Sequence, residues 1–281
     1  TEVVVRESDD LASLKRKVRL ATILGTAQST FVHLPYLRPI WTENTAKERL
    51  LGVSLTGIMD HPVLGKNVDS AKWLAEMKQV ALDTNDEYAD LLGIPRSAGV
   101  TCVKPSGTVS QLVDSASGIH PRHSNYYIRT VRGDNKDPLT QFLKDVGIPA
   151  EPDVMKPDST TVFSFPTQAP ISAVTRNQMT ALQQLELWKT YAEVWCCHKP
   201  SITVTVRDQE WMEVGAWVYT HFDLCSGISF LPHSDHTYAQ APYQEVGRED
   251  YQDMSDRMPD SIDWSLLSNY EKEDSTSGSQ T

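Results

Sequence analysis

The sequence predicts an α/β fold in which short apolar strands alternate with amphipathic helices. Three observations support this prediction: the alternation itself, short apolar runs that suit buried strands, and helical segments whose apolar residues recur on one face. Strands that alternate with helices form parallel sheets with right-handed crossovers. Seven such runs occur along the chain, and they favour part of an α/β barrel over an open sheet.

The first elements precede residue 95. Residues 2–5 form a short apolar strand, and Asp9 or Asp10 is placed to cap a helix. That helix carries its apolar face at Leu14, Val18, Ala21 and Leu24. The apolar run 50–57 is typical of a central strand. A long helix is predicted from Asp69, and Gly93 and Pro95 end it.

The stretch 99–112 predicts a buried strand, a tight turn and the first turn of a helix. Pro105 ends the strand, and Gly107 permits close approach to the backbone. Amides at a helix N-terminus lack partners in the helix and attract anions, most often phosphate. The candidate phosphate-binding residues are Pro105, Ser106, Gly107, Thr108, Val109 and Ser110. An ordinary strand-to-helix turn with a Ser or Thr cap is the alternative interpretation.

Further strands and helices are predicted as far as residue 231. Strands are expected at 126–131, 161–165 (ended by Pro166), 201–206 and 227–231, and helices at 138–146, at 177–197 and after Asp208. From residue 245 the chain becomes acidic, and it ends in a Ser-rich stretch. We therefore expect a folded region over 1–244 and an acidic, partly flexible tail over 245–281.

Composition limits the class of protein. The chain has 281 residues, of which 40% are hydrophobic and 22% charged, as in globular proteins. Its net charge of -11 argues against nucleic acid as a partner. It has no apolar run of membrane-spanning length and no signal peptide, so we expect a cytoplasmic protein without membrane contact. Because it begins at Thr1, just before an apolar strand, we expect a piece of a longer protein.

Other candidate sites are weak. The four cysteines (Cys102, Cys196, Cys197 and Cys225) lack metal-site spacing and are expected to serve packing. Two histidine pairs stand three residues apart, His120/His123 and His233/His236, but neither shows a third zinc ligand. The side chains of Arg122, Arg129 and Arg132 are expected at a solvated surface, with added positive charge beside a nucleotide as the alternative.

Several longer stretches carry a family resemblance. The most specific are Leu-Gly-Val-Ser-Leu-Thr-Gly-Ile-Met-Asp-His-Pro at 51–62, Thr-Cys-Val-Lys-Pro-Ser-Gly-Thr-Val-Ser-Gln-Leu at 101–112 and Ser-Ala-Ser-Gly-Ile-His-Pro-Arg-His at 115–123. Further matches lie at 162–166, 200–206, 210–218 and 226–232. Together they resemble the adenosylcobalamin-dependent ribonucleoside-triphosphate reductases, the monomeric class II ribonucleotide reductases.

The resemblance implies a fold and a reaction. It implies that this chain is the second half of a ten-stranded α/β barrel that reduces ribonucleoside triphosphates to 2′-deoxyribonucleoside triphosphates through a thiyl radical. It also implies adenosylcobalamin as cofactor, a thioredoxin-type reductant, and a role for the turn at 105–110 in binding substrate phosphates. The stretch around His120, Pro121 and Arg122 is expected to contact the cofactor.

The chain also departs from the family pattern. It lacks the radical-loop motif Asn-Pro-Cys-x-Glu, the C-terminal cysteine pair and the upstream effector region. We therefore expect no catalytic or metal-ligating residue in it, no activity of the isolated chain, and a need for the N-terminal part of the same enzyme. A non-catalytic nucleotide- or phosphate-binding module derived from the half-barrel is the alternative. A class I large subunit is disfavoured, because Gly-Ile-His-Pro at 118–121 looks like class II.

Overall fold

Short strands and longer helices alternate along the computed structural model, which describes residues 1–233 and 238–271. The strands are β1 (Glu2–Val4), β2 (Ser54–Thr56), β3 (Tyr126–Asp134), β4 (Ala150–Pro152), β5 (Thr160–Gln168), β6 (Ile202–Val206), β7 (Ile228–Pro232) and β8 (Tyr243–Glu245). The helices are α1 (Leu11–Gln28), α2 (Pro39–Glu48), α3 (Asn67–Leu92), α4 (Val109–Leu112), α5 (Pro138–Asp145), α6 (Ala181–Thr190), α7 (Trp211–Thr220) and α8 (Arg248–Ser255). The predicted α/β class is confirmed.

The chain divides into two compact units that are interleaved in the sequence. The first unit comprises Thr1–Arg122 and Pro170–His233. The second comprises His123–Ala169 and the described residues from Tyr238 onward. In the described ranges, no helix is both long and apolar enough to cross a membrane.

Parallel strand pairs form the framework of the first unit. β1 pairs with β2, and β6 pairs with β7, both in parallel. The predicted strand at 99–103 is not a regular strand, and only Thr101 bridges in parallel to Val53. The β1-β2 pair and the β6-β7 pair form separate two-stranded sheets, so the expected half of a ten-stranded barrel is not confirmed.

Local sequence signals set the helix ends of the first unit. Asp10 caps α1 by accepting a hydrogen bond from the Ser13 amide, and Gly93 ends α3 with a left-handed φ of 66°. α6 begins later than predicted because Thr180 forms a capping box with Gln183. After α6, residues 191–195 continue as one turn of π-helix. The core contains the large buried side chains Leu14, Leu55, Met77, Trp188, Tyr191 and Trp195.

The second unit is built on an antiparallel sheet with the strand order β4-β5-β3-β8. The predicted parallel arrangement of the strands at 126–131 and 161–165 is therefore wrong. The prediction that Pro166 ends its strand is also wrong, because β5 continues to Gln168 and Pro166 pairs with Ile128. Proline is tolerated there because β4 covers the other edge of β5 only as far as Phe163.

The acidic segment after residue 244 contains more structure than the tail that the sequence predicts. β8 pairs with β3 up to Glu245, α8 packs on β3 and β5, and a 3₁₀ turn at Trp264–Asn269 lies against α5. Aromatic residues anchor this segment: Trp264 and Tyr270 contact the buried Phe142, and Tyr251 contacts Tyr126. The expected Ser-rich flexible end lies outside the described residues.

Candidate functional site

The backbone turns sharply at 104–108, where the sequence predicts a phosphate site. Ser106 adopts a left-handed φ of 55°, and α4 follows as a helix of only four residues. Ser106 and Ser110 are buried, whereas Pro105, Gly107, Thr108 and Val109 are exposed. In place of the predicted strand, turn and helix, the structure has a segment with a single β-bridge at Thr101, a tight turn and one helical turn.

The amides of three consecutive residues are the feature of this turn that bears on anion binding. Within the described residues, the N–H groups of Gly107, Thr108 and Val109 donate to no acceptor. The next amide along the chain, that of Ser110, donates to the Ser106 carbonyl at 3.0 Å. Exposed amides of this kind can donate to the oxygens of a bound phosphate.

The hydroxyl groups of the turn contribute less than expected. The Ser106 hydroxyl donates to the Glu2 carboxylate, and the Ser110 hydroxyl donates to the Gly107 carbonyl at 3.3 Å. Thr108 is the one exposed hydroxyl among the three. Burial raises the pKa of the Glu2 carboxyl, although the charge of nearby Lys104 opposes that shift. Since α4 has a single turn, its dipole is also small, so the backbone amides carry most of any anion binding.

Arg122 has a different environment from the solvated surface that the sequence predicts. Its side chain is 4% exposed and forms two hydrogen bonds of 2.8 Å with the carboxylate of Asp60. It also donates to the Asp114 carboxylate at 2.9 Å. The expectation of an exposed Arg122 is wrong, because a buried guanidinium is stable only with a buried counter-charge such as Asp60.

His120 is likewise engaged within the first unit. Its Nδ1 lies 2.8 Å from the Ser117 carbonyl oxygen, and its Nε2 accepts a hydrogen bond of 2.9 Å from the Thr203 amide. The imidazole is therefore neutral with the proton on Nδ1. With the polar atoms of His120 and Arg122 engaged inside the protein and no polar side-chain atom on Pro121, the three residues predicted to contact the cofactor do not fit that role through their side chains.

The environment of His120 predicts a pH dependence of stability. Burial lowers its pKa below the usual value of 6.5, although the hydrogen bond with Ser117 opposes the shift. The unfolded chain then binds a proton more readily than the folded chain, so we expect the free energy of unfolding to decrease as the pH falls below about 6.5. In urea denaturation between about pH 7 and pH 5, His120→Gln should show a shallower decrease. Equal slopes for the variant and the natural chain would contradict this assignment.

The other predicted candidates lie away from the turn in sequence and form ordinary contacts. In the second unit, Arg132 pairs with Asp153 at 2.8 Å, and Arg129 lies over the Tyr243 ring at 4.3 Å. His123 stacks on Tyr243, and in the first unit His233 lies 3.4 Å from Asn177. His236 lies outside the described residues. No cluster of metal-ligating side chains is found among residues 1–233 and 238–271.

Cys197 is the cysteine that the sequence interpretation missed. Cys102 and Cys196 are buried and Cys225 is half-buried, and desolvation raises the pKa of all three thiols. Cys197 is exposed; partial burial opposes its ionisation, but hydrogen bonds with Thr101 and the nearby charge of Lys78 outweigh it and lower its pKa. The Thr101 hydroxyl lies 3.3 Å from the thiol. Nothing local in the sequence could separate Cys197 from its neighbour Cys196.

We expect Cys197 to react with iodoacetamide faster than the other three cysteines, on the order of tenfold at neutral pH. The thiolate is the reactive form, and only Cys197 combines exposure with a lowered pKa. Peptide mass spectrometry over a time course measures the four rates. Thr101→Val, which keeps the side-chain shape but removes the hydroxyl, should slow the reaction, and uniform labelling of all four cysteines would contradict the prediction.

Comparisons with known proteins place the fold. A crystal structure of a B12-dependent, class II ribonucleotide reductase superposes with a TM-score of 0.81 and 23% identity, covering 95% of this chain and 40% of that chain. The alpha subunit of the Actinobacillus ureae class Id ribonucleotide reductase superposes with a TM-score of 0.51 and 13% identity, covering 77% of this chain and 46% of that one. The fold is thus that of a ribonucleotide reductase.

Sequence comparison finds relatives that share one name. An adenosylcobalamin-dependent ribonucleoside-triphosphate reductase of Euglena gracilis is 29% identical over 229 residues, which are 79% of this chain and 31% of the relative. The enzyme of the same name from Lactobacillus gasseri is 27% identical over 251 residues, 88% of this chain and 32% of the relative. No family model matches the sequence.

The chain is therefore similar to adenosylcobalamin-dependent ribonucleoside-triphosphate reductases, and the resemblance predicted from its motifs is confirmed. It spans about a third of the length of these relatives.

Proposed function

We propose that this chain is part of an adenosylcobalamin-dependent ribonucleotide reductase and supplies the turn that binds the substrate phosphates. The complete protein would convert ribonucleoside triphosphates to 2′-deoxyribonucleoside triphosphates by a thiyl-radical mechanism. Within it, the parallel strands of the first unit would contribute to the second half of a ten-stranded barrel. The similarity to reductases of that name over about four fifths of the chain supports this proposal.

The observation that carries the role of this chain is the row of amides at Gly107, Thr108 and Val109, which have no acceptor among the described residues. Hydrogen bonds to a charged acceptor contribute roughly 1.5–3 kcal/mol each, so two or three of them would hold a triphosphate without a basic surface. That agrees with a chain whose net charge is -11. Lys104 adds one positive charge beside the turn, where its ammonium donates to the Gly52 carbonyl at 2.8 Å.

The complete protein needs components that we assign by similarity. Adenosylcobalamin, when bound, would supply the radical that starts the reaction, and a thioredoxin-type reductant would supply the two electrons. The N-terminal part of the same enzyme would supply the radical-loop cysteine, and the C-terminal cysteine pair would also lie outside this chain. We assign no described residue to the cofactor, because the polar atoms of the His120 and Arg122 side chains have partners inside the protein.

Calorimetric titration of the chain with a ribonucleoside triphosphate tests the binding role. We expect saturable binding that inorganic tripolyphosphate competes away and that the corresponding nucleoside does not, because the turn recognises phosphate. Absence of binding by the folded chain would contradict the role.

Reductase activity is then assayed on the complete protein that contains this sequence, with adenosylcobalamin and a dithiol. Formation of a deoxyribonucleotide supports the enzyme. Binding without turnover would instead favour the non-catalytic phosphate-binding module.

A further inference from the structure

We propose that Asp60 and Arg122 are positioning residues for the phosphate turn at 105–110. Their ion pair holds α4 and the loop at 114–118 in the conformation that leaves the amides of the turn accessible. This inference rests on the proposed function, since it explains how the same turn keeps its amides open. Neither residue lies in the turn itself, and neither side chain is exposed to a ligand at the surface.

The ion pair is buried and bidentate. The Asp60 and Arg122 side chains are 3% and 4% exposed, and two parallel hydrogen bonds of 2.8 Å join them. The Asp60 carboxylate also accepts a hydrogen bond of 2.8 Å from the Ala116 amide. A carboxylate that binds both a guanidinium and a loop amide fixes the loop in one position, because both contacts depend on its orientation.

A second segment anchors the pair from the other side. The Arg122 amide donates to the Val174 carbonyl, and its carbonyl accepts from the Arg176 amide, both at 2.9 Å. The Ser172 hydroxyl donates to the Asp60 carbonyl at 2.6 Å. The backbones of both partners are therefore held, and Nη1 of the guanidinium is directed toward Asp114, just after α4.

Arg122 reaches the C-terminal end of α4 through Asp114. It donates to the Asp114 carboxylate at 2.9 Å and to the Asp114 carbonyl at 3.3 Å, and Arg6 donates to the same carbonyl at 2.7 Å. Positive side chains at the last carbonyls stabilise a helix terminus. A helix of four residues is not stable on its own, so α4 depends on such tertiary contacts.

The loop fixed by Asp60 also contacts the turn directly. The Ser117 hydroxyl donates to the Pro105 carbonyl at 2.6 Å. Gly118, with a φ of 55°, lies so close to Lys104 that an added Cβ would be 2.5 Å from the Lys104 carbonyl oxygen. A displacement of this loop would therefore move both residues that precede Ser106.

Asp60→Asn is the direct test, because asparagine keeps the shape and removes the charge that pairs with Arg122. Two quantities are measured on the folded chain: amide hydrogen exchange over 110–113, and the affinity for a ribonucleoside triphosphate. We expect exchange at least tenfold faster and affinity at least tenfold weaker. Arg122→Lys, which keeps the charge but loses the two-pronged contact, should change both in the same direction.

The control is Asp153→Asn in the second unit, which breaks an ion pair of the same length, 2.8 Å, with Arg132, whose side chain is 40% exposed. It should leave the amide exchange over 110–113 and the triphosphate affinity unchanged even if it lowers the melting temperature. This comparison separates positioning from general destabilisation. Asp114→Asn covers the case in which Asp60→Asn does not fold. The Asp114 side chain is 72% exposed, so this variant should fold and weaken triphosphate binding about threefold.

Unchanged exchange and affinity in folded Asp60→Asn, or in Asp114→Asn if Asp60→Asn does not fold, would overturn the inference. A natural chain that binds no triphosphate would overturn the proposed function instead. In that case, the exchange measurement still decides whether the ion pair orders α4.

Discussion

Gly107→Val is expected to weaken triphosphate binding at least tenfold, or about 1.4 kcal/mol. A side chain at this position has open space in the protein, because an added Cβ meets no atom within 4 Å. The backbone of Gly107 does not require a positive φ. The substitution should therefore leave the fold intact, while its branched side chain stands beside the three unpaired amides and blocks the approach of a phosphate.

Titration calorimetry with a ribonucleoside triphosphate measures this loss. Thr108→Ala should cost less, because it removes one hydroxyl and leaves the amides accessible. Gly215→Val in α7 is the matched control, since an added Cβ there also meets open space and the position lies far from the turn in sequence. Undiminished affinity in folded Gly107→Val would mean that the turn is only a helix cap.

Trp195→Ala is expected to lower the free energy of unfolding by about 3–5 kcal/mol, the range for removal of a large buried aromatic side chain. Trp195 is fully buried. Its indole N–H donates to the Cys102 carbonyl at 2.8 Å. The substitution therefore leaves a cavity and an unsatisfied carbonyl beside the segment that leads into the phosphate turn.

Urea denaturation monitored by circular dichroism measures this change. Met212→Ala is the control, because the Met212 side chain is 86% exposed and its removal should cost no more than about 0.5 kcal/mol. A loss below about 1 kcal/mol for Trp195→Ala would show that the site collapses around the missing ring and that the indole contributes little.

Elements with local signals were predictable from the sequence. α1 begins after Asp10 and α3 ends before Gly93, as the capping residues indicated, since a cap acts within one turn of the chain. The strand after residue 201 was also located correctly, because its side chains alternate between buried and half-buried positions.

Strand partners were less predictable, because pairing is decided by distant segments. Residues 99–103 have a strand-like composition, yet they bridge to Val53 without extending into a strand. β3 and β5 were expected in a parallel sheet, but they pair along nine residues each in opposite directions. The apolar pattern of a buried strand is the same in either orientation.

In the candidate site, too, local features were predictable from the sequence and contacts with distant residues were not. The turn at 105–110 follows from adjacent residues, and its position was predicted. The burial of Arg122 depends on Asp60, which lies 62 residues earlier and was not considered as its partner. A signal did exist, because Asp60 is an acidic residue at the end of an apolar run and a buried carboxylate requires a cation.

The interleaved order of the two units has a consequence for synthesis on the ribosome. Residues 99–103 are made well before Trp195, whose indole bonds to Cys102 across 93 residues. At the usual rates of translation, roughly 5–20 s pass between the two events. During that time the nascent first unit lacks α6, the π-helical turn, β6, α7 and β7. The apolar segment 99–103 then has its contacts with residues 51–53 but not those with Trp195 and its neighbours, so it is more exposed to association with other chains than in the finished unit.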